Sequence, residues 1–267
     1  MSDRVVVITG ASGGIGAALA TRLARDGDRL VLVARREPEL RAVAAACGPD
    51  ALAVVADVTR RADVQRVLDA ALERHGHVDV WVNNAGRGIT RPVAELSDDE
   101  FDEMMRVNVK SALYGMQAVL PHFQSRGRGH IINVSSMLGR VPNVPVRAAY
   151  SAAKHALNAL TAGLRMDLRE TFPGIHVTTV LPGVVATDFG KHALGGGRDS
   201  RSFPFAQPVE EVADAIAGVI ERPRAEVYSR PEYQERVVAY FAAEDVAEQE
   251  ALGPAGSPPT TAPRSRP

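Results

Sequence analysis

Val5-Val6-Val7-Ile8-Thr9-Gly10-Ala11-Ser12-Gly13-Gly14-Ile15-Gly16 lies at the start of this 267-residue chain and decides how the rest is read. Five β-branched residues, Val5–Thr9, form an apolar run without alternation, as expected of a strand covered by helices on both faces. The run enters a glycine-rich turn and then a stretch with helical spacing, Ile15–Arg25. Glycines permit a tight turn and close approach of backbone to a pyrophosphate, and the N-terminus of the helix adds free N–H groups and a positive dipole end. Gly10, Ser12, Gly13, Gly14, Ile15 and Gly16 are therefore candidate dinucleotide-binding residues. The spacing is Gly-x3-Gly-x-Gly, not the commoner Gly-x-Gly-x2-Gly. The plain alternative is a glycine-rich strand-to-helix turn that holds no ligand.

The same pattern repeats along the chain. Strand-like runs are expected at Leu30–Ala34, Leu52–Ala56, Val78–Val82, His130–Val134, His176–Leu181 and Glu226–Ser229. Helical spacing fills Pro38–Ala46, Ala62–Arg74, Asp98–Phe123, Ala148–Glu170 and Val209–Ile220, and a further helix is expected from Glu232 to about Glu250. Ser97 with Glu100 makes a capping box, and Pro38 and Pro208 suit first-turn positions. Alternating strands and helices predict an α/β fold, a doubly wound, mostly parallel, Rossmann-type sheet of about seven strands. Residues 1–252 read as one domain. Phe189–Gln207 has no periodicity and contains Gly195-Gly196-Gly197, so a lid is expected over about 188–207. The Pro/Gly-rich residues 253–267 read as a disordered tail.

Composition excludes several function classes. A net charge of −1 provides no field to attract nucleic acid or anionic lipid. A single cysteine, Cys47, leaves no disulfide framework and no Cys-based zinc cluster. His75 and His77 lack further ligands nearby in sequence, so no metal site is expected. No apolar run approaches the ~20 residues needed to span a bilayer, and no signal peptide is recognisable. The expectation is a soluble, cytoplasmic protein.

Candidate chemistry clusters at the carboxyl ends of the strands, where open α/β sheets bind ligands. Tyr150-Ser151-Ala152-Ala153-Lys154 puts a phenol and an ammonium one helical turn apart, and a nearby cation favours the phenolate. The alternative is a solvated Tyr/Lys pair on a helix surface. Asn83-Asn84-Ala85-Gly86 and Ser135-Ser136 end two strands, and Asn108 is an amide inside an apolar helical stretch, where it needs a partner if buried. The second strand ends in Ala34-Arg35-Arg36, without the acidic residue that accepts hydrogen bonds from an NAD ribose. A guanidinium there suits a 2′-phosphate, which favours NADP, with NAD also possible. Arg35 is the candidate; Arg36 reads as a solvent-facing charge.

In this order, Thr9-Gly10-x3-Gly14-x-Gly16, Asp57, Asn83-Asn84-Ala85-Gly86, Asn108, Ser136, Tyr150-x3-Lys154 and Pro182-Gly183 with Thr187 resemble the short-chain dehydrogenase/reductase family over residues 4 to about 190. The resemblance implies an NAD(P)-dependent oxidoreductase that reduces a ketone or aldehyde, or oxidises the matching alcohol. It implies that Tyr150 is the acid/base, that Lys154 lowers the Tyr150 pKa and binds nicotinamide-ribose hydroxyls, that Ser136 holds the substrate oxygen, and that Asn108 supports a water relay. Asp57 and Val58 would contact adenine. Asn84, Ala85 and Gly86 would lie along the cofactor, and Pro182, Gly183, Val185 and Thr187 would position the nicotinamide.

The chain departs from the family pattern in three places. Gly13 stands where many NADP-preferring members carry Lys or Arg, Ser136 and Tyr150 are one residue further apart than is commonest, and the C-terminus carries a helix instead of a short glycine-rich ending. A homodimer or homotetramer is expected, through the long helices that carry Asn108 and Tyr150. Apolar residues in the pocket loops (Ile89, Met137, Leu138, Val141, Val144, Phe203, Phe205) favour a hydrophobic carbonyl substrate. A non-catalytic dinucleotide-binding sensor or scaffold on the same fold is the alternative from another class.

Overall fold

The computed structural model describes residues 3–252, and the expected tail at 253–267 lies outside them. Seven strands form one sheet: β1 (Val5–Thr9), β2 (Arg29–Ala34), β3 (Leu52–Val55), β4 (Val80–Asn83), β5 (Gly129–Val134), β6 (Ile175–Leu181) and β7 (Glu226–Tyr228). Their order is β3-β2-β1-β4-β5-β6-β7 and every pairing is parallel, so the Rossmann-type expectation holds without an antiparallel edge. The helices are α1 (Gly14–Arg25), α2 (Glu37–Cys47), α3 (Arg61–His75), α4 (Asp98–Met105), α5 (Ser111–Arg126), α6 (Ala148–Leu168), α7 (Val209–Glu221), α8 (Pro231–Ala242) and α9 (Val246–Glu250).

The unbroken apolar strands have a simple cause. Side chains alternate across the sheet, and both faces are covered. Val6 and Ile8 of β1 join one core with Leu19 and Leu23 of α1 and Val212 and Ile216 of α7. Val5 and Val7 join the other, with Val64 and Leu68 of α3 and Met116 and Phe123 of α5. Each fully buried large apolar side chain contributes roughly 1.5–3 kcal/mol from area removed from water. No described helix is long and apolar enough to cross a membrane.

Several boundaries differ from the sequence expectation. β4 starts at Val80 rather than Val78 because the Val78 N–H donates to the ring of His122 (3.1 Å) and leaves the ladder. The expected helix Asp98–Phe123 is interrupted at Arg106–Lys110 by a π turn that contains Asn108, and it continues past Pro121 to Arg126. The capping box is present: Ser97 accepts from the Glu100 N–H, whose carboxylate accepts from the Ser97 N–H. Pro208 precedes α7 as its N-cap, outside the first turn. The expected helix Glu232–Glu250 is two helices, because Ala243 is extended and Asp245 caps a new start by accepting from the Ala247 N–H.

Candidate active site

The strand order reverses between β1 and β4, so their connections diverge at the carboxyl ends and open a crevice. Thr9 closes its floor. Its Oγ1 accepts from the N–H groups of Asn84 (2.9 Å) and Ala85 (3.1 Å) and donates to the Val82 carbonyl. The Asn84 side chain donates to the carbonyls of Thr9 (2.8 Å) and Gly10 (3.3 Å), which fixes the turn from the side. Gly10 has φ +69°, and a Cβ there would lie 2.9 Å from both Ala85 Cα and Asn84 Nδ2. A Cβ on Gly16 would lie 2.5 Å from the Gly10 carbonyl oxygen, so helix and turn touch backbone to backbone.

The start of α1 has no side-chain cap and no acidic residue in its first turn. A cleft of about 550 Å³ opens over it, with Ser12, Gly13, Gly14, Arg36 and Thr187 among its walls. Free N–H groups, a positive dipole end and glycines that leave room for close approach fit a diphosphate. Both arginines just after β2 are exposed. Arg36, expected to point to solvent, donates to the hydroxyl of Ser12 (3.2 Å) and to its carbonyl, and it lies 3.1 Å from the space above Gly13. Arg35 is exposed and has no hydrogen bond or ion pair among the described residues.

Asp57 stands just beyond β3. Its Oδ1 accepts from the N–H and hydroxyl of Thr59, while its own N–H donates to Asp63. Val58 packs half-buried against one core and Ile15 against the other. Thr187 caps a short turn by accepting from the Phe189 N–H, and its methyl lies 3.3 Å from a Cβ position at Gly14, so it overhangs the glycine turn. Val185 pairs with Gln207, and Pro182 accepts from the Met137 N–H (2.8 Å).

Tyr150 and Lys154 occupy consecutive turns of α6 and both are buried. The Ser136 hydroxyl adjoins the Tyr150 phenol and favours its ionised form, and accepts from the Leu138 N–H. Ser135 instead faces the Lys154 carbonyl (3.4 Å), which separates the roles of the two serines. Burial pushes the Tyr150 phenol up to about 12, opposed by the Ser136 hydroxyl and by the positive charge of Arg147. Burial brings the Lys154 ammonium down to about 7. Its Nζ donates to the Val134 carbonyl (2.9 Å) and lies 5.6 Å from the Tyr150 ring centre. Asn108 is locked by the π turn: its Oδ1 accepts from the Arg87 N–H, and its amide donates to the carbonyls of Arg87 and Met104. A Cβ at Gly86 would sit 3.0 Å from Asn108 Oδ1 and 3.8 Å from Lys154 Nζ, so both groups open onto the space that this glycine leaves free.

Four residues with no role of their own in the sequence reading adjoin these groups, three of them (Thr90, Arg147 and Gln207) in the loops expected to build the substrate pocket, 88–93, 137–147 and 189–207. Arg147 precedes α6, and a Cβ at Gly88 would lie 2.5 Å from its NH1. Thr90 follows Gly88, and its N–H donates to the Leu194 carbonyl. Tyr233 of α8 lies across Gly183, at 2.5 Å from a Cβ there. Gln207 is fully buried, and both polar atoms of its side chain lack partners. No short motif contains these residues; they meet only because the loop after β4, the start of α6 and the segment 188–207 converge. That segment is fastened down: Leu194 donates to the Gly88 carbonyl and Ala186 to that of Gln207.

With this geometry in hand, the comparisons with known proteins agree. The family model for short chain dehydrogenases matches residues 4–194. An uncharacterised oxidoreductase of Staphylococcus epidermidis is 34% identical over 223 residues, covering 84% of this chain and 93% of that protein. An alcohol dehydrogenase from the archaeon Thermococcus sibiricus, solved with 5-hydroxy-NADP, is 31% identical with a TM-score of 0.75, covering 86% of this chain and 97% of that one. A short chain dehydrogenase/reductase from Burkholderia phymatum, solved with NAD, has a TM-score of 0.83 at 27% identity, covering 93% of this chain and 97% of that one. The chain belongs to the short-chain dehydrogenase/reductase family of oxidoreductases.

Proposed function

We propose that this protein is a nicotinamide-dependent oxidoreductase that reduces a ketone or aldehyde, or oxidises the matching alcohol, with Tyr150 as acid/base. The observation that carries the reading is the Tyr150 phenol, buried, beside Ser136 and one turn from the buried Lys154. A bound nicotinamide dinucleotide would supply or accept the hydride. Gly10, Ser12, Gly13, Gly14, Ile15 and Gly16 with Thr187 would hold its phosphates and ribose; Asp57, Val58, Ala85 and Gly86 would lie along it, with Asn84 bracing the turn. Pro182, Gly183 and Val185 would flank the ring.

The protein's own part is alignment and a proton. With its pKa at about 12, Tyr150 holds its proton at neutral pH, the state that a carbonyl reduction needs. Ser136 orients the carbonyl oxygen toward it. Lys154, at about 7, can gain or lose a proton near neutrality, and it shares with Asn108 the space above Gly86 through which Tyr150 is resupplied. NADP(H) is preferred in this reading: β2 ends without an acid, and Arg36, lying on Ser12, is placed to meet a 2′-phosphate, with Arg35 adding charge. Residues 188–207 act as the lid. Phe101 on α4 and Leu160 and Met166 on α6 are exposed apolar side chains, which supports a homodimer or homotetramer through these helices.

The test is a panel of ketones, aldehydes and alcohols with either coenzyme, followed at the nicotinamide absorbance band. Turnover, faster with NADPH than with NADH, is expected. Tight coenzyme binding without turnover of any panel member would replace the enzyme with a dinucleotide sensor.

A further inference from the structure

Beside Tyr150 the fold half-buries a positive charge that it does not neutralise. Four nearby arginines have carboxylate partners, Arg87 with Glu103, Arg91 with Glu100, Arg140 with Glu226 and Arg201 with Asp199, while the exposed Arg198 lies over the Phe203 ring. Arg147 has none among the described residues. Its NH1 is buried without a hydrogen-bond partner, and so is the hydroxyl of Thr90. The two groups face each other across one point: a Cβ at Gly197 would lie 3.3 Å from Thr90 Oγ1 and 3.4 Å from Arg147 NH2. Gly88 leaves the guanidinium its present place, because a Cβ there would lie 2.5 Å from Arg147 NH1 and 3.0 Å from the Phe189 ring. Arg147, Thr90 and the two glycines thus form one arrangement from three separate segments, with the Tyr150 ring and Phe189 as its neighbour (5.8 Å between centres).

We propose that Arg147 and Thr90 form a carboxylate-binding subsite, so that the carbonyl compound reduced at Tyr150 is an oxo acid. This deepens the oxidoreductase reading and rests on it. A half-buried cation with an unpartnered buried nitrogen and no counter-charge is costly in the free protein, and a carboxylate relieves that cost. Consistent with this, burial draws the Arg147 guanidinium pKa down. The planar fork of a guanidinium matches the two oxygens of a carboxylate, and the threonine hydroxyl adds one more donor. The cofactor's phosphates are not its natural partner, because the cleft over Ser12–Gly14 is lined by Arg36 and Arg201 rather than Arg147. Ile89, Leu138, Phe189 and Leu194 pack around Tyr150 and supply apolar walls, so the rest of the substrate is small and apolar. The apolar loops alone favour a hydrophobic carbonyl substrate; the half-buried guanidinium adds a carboxylate to it.

The test uses the full chain with 3-oxobutanoate, 4-oxopentanoate and 5-oxohexanoate, each beside its methyl ester. The wild type is expected to prefer one acid over its ester by about 10- to 100-fold in kcat/KM, the range for a hydrogen-bonded charge. Arg147→Met is expected to bring that ratio close to one through KM, Arg147→Lys to restore part of it, and Thr90→Val to lower it less. Isothermal titration of the same acids and esters gives a second readout that needs no turnover. Acid binding that is lost in Arg147→Met supports the subsite even if no carbonyl is reduced, in which case the oxidoreductase reading fails alone. Tyr150-dependent turnover of neutral ketones, with every acid bound no better than its ester, overturns the subsite and leaves that reading standing.

Discussion

The two ends of the sheet bury polar groups to similar depth and treat them in opposite ways. At the amino end, Asp79 accepts from the Val5 N–H (2.9 Å) and pairs with Arg126 (3.0 Å) and His77 (3.1 Å). Asp28, its side chain fully buried, accepts two bonds from the Arg4 fork, which also pairs with Glu221. At the carboxyl end, Tyr150, Lys154 and Gln207 are buried, Arg147 and Thr90 are half-buried, and their buried polar atoms have few partners or none. Buried polar groups that satisfy one another serve the fold, whereas those left open cost stability and mark where a ligand must complete them.

Substitutions sharpen that contrast. The largest effect is expected at the carboxyl end: Ser136→Ala or Lys154→Met lowers kcat/KM by about 100- to 10,000-fold, the usual worth of a positioned proton-transfer group, with little loss of Tm. At the amino end, Asp79→Ala strands the Val5 N–H and removes the carboxylate partner of Arg126; it is expected to cost about 1–3 kcal/mol in denaturant unfolding while kcat/KM stays unchanged.

His130 is the exception at the amino end, buried with Nε2 on the Thr178 hydroxyl (2.7 Å) and Nδ1 without a partner. Burial lowers its pKa from 6.5 to about 3, with a smaller contribution from His176. Between those values the unfolded chain binds a proton that the folded chain refuses. Its contribution is therefore complete above pH 6.5 and is lost as pH falls toward 3, at up to about 1.4 kcal/mol per pH unit. His130→Gln should flatten the measured stability profile in that window. The smallest effect concerns coenzyme choice: Arg36→Ala is expected to weaken NADPH about tenfold relative to NADH, and Arg35→Ala less. The reverse order would return the 2′-phosphate to Arg35.

How much of this was legible in the sequence depended on whether local chemistry decides the feature. The glycine turn, the seven strand runs and the Ser97–Glu100 box are short-range, and the structure keeps them. The π turn at Asn108 was not legible, because its anchor is the backbone of Arg87, 21 residues away. Of the two exposed arginines after β2, the missing acid favours Arg35 for a 2′-phosphate, while the Arg36 side chain is the one that lies on Ser12. Asn84 was assigned to the cofactor, yet its amide is spent on the carbonyls of Thr9 and Gly10. Arg147 and Thr90 belong to no motif, since only the convergence of three loops gives them a shared purpose.

Tyr150→Phe tests the central claim most directly, because it removes one oxygen from a packed ring. Fluorescence titration of NADPH and turnover of the best carbonyl substrate should be measured on the same preparation. Coenzyme affinity within about threefold of the wild type, with kcat lowered at least 100-fold, is what an acid/base at this position predicts. Unchanged kcat would contradict it and leave the phenol a packing group beside Ser136.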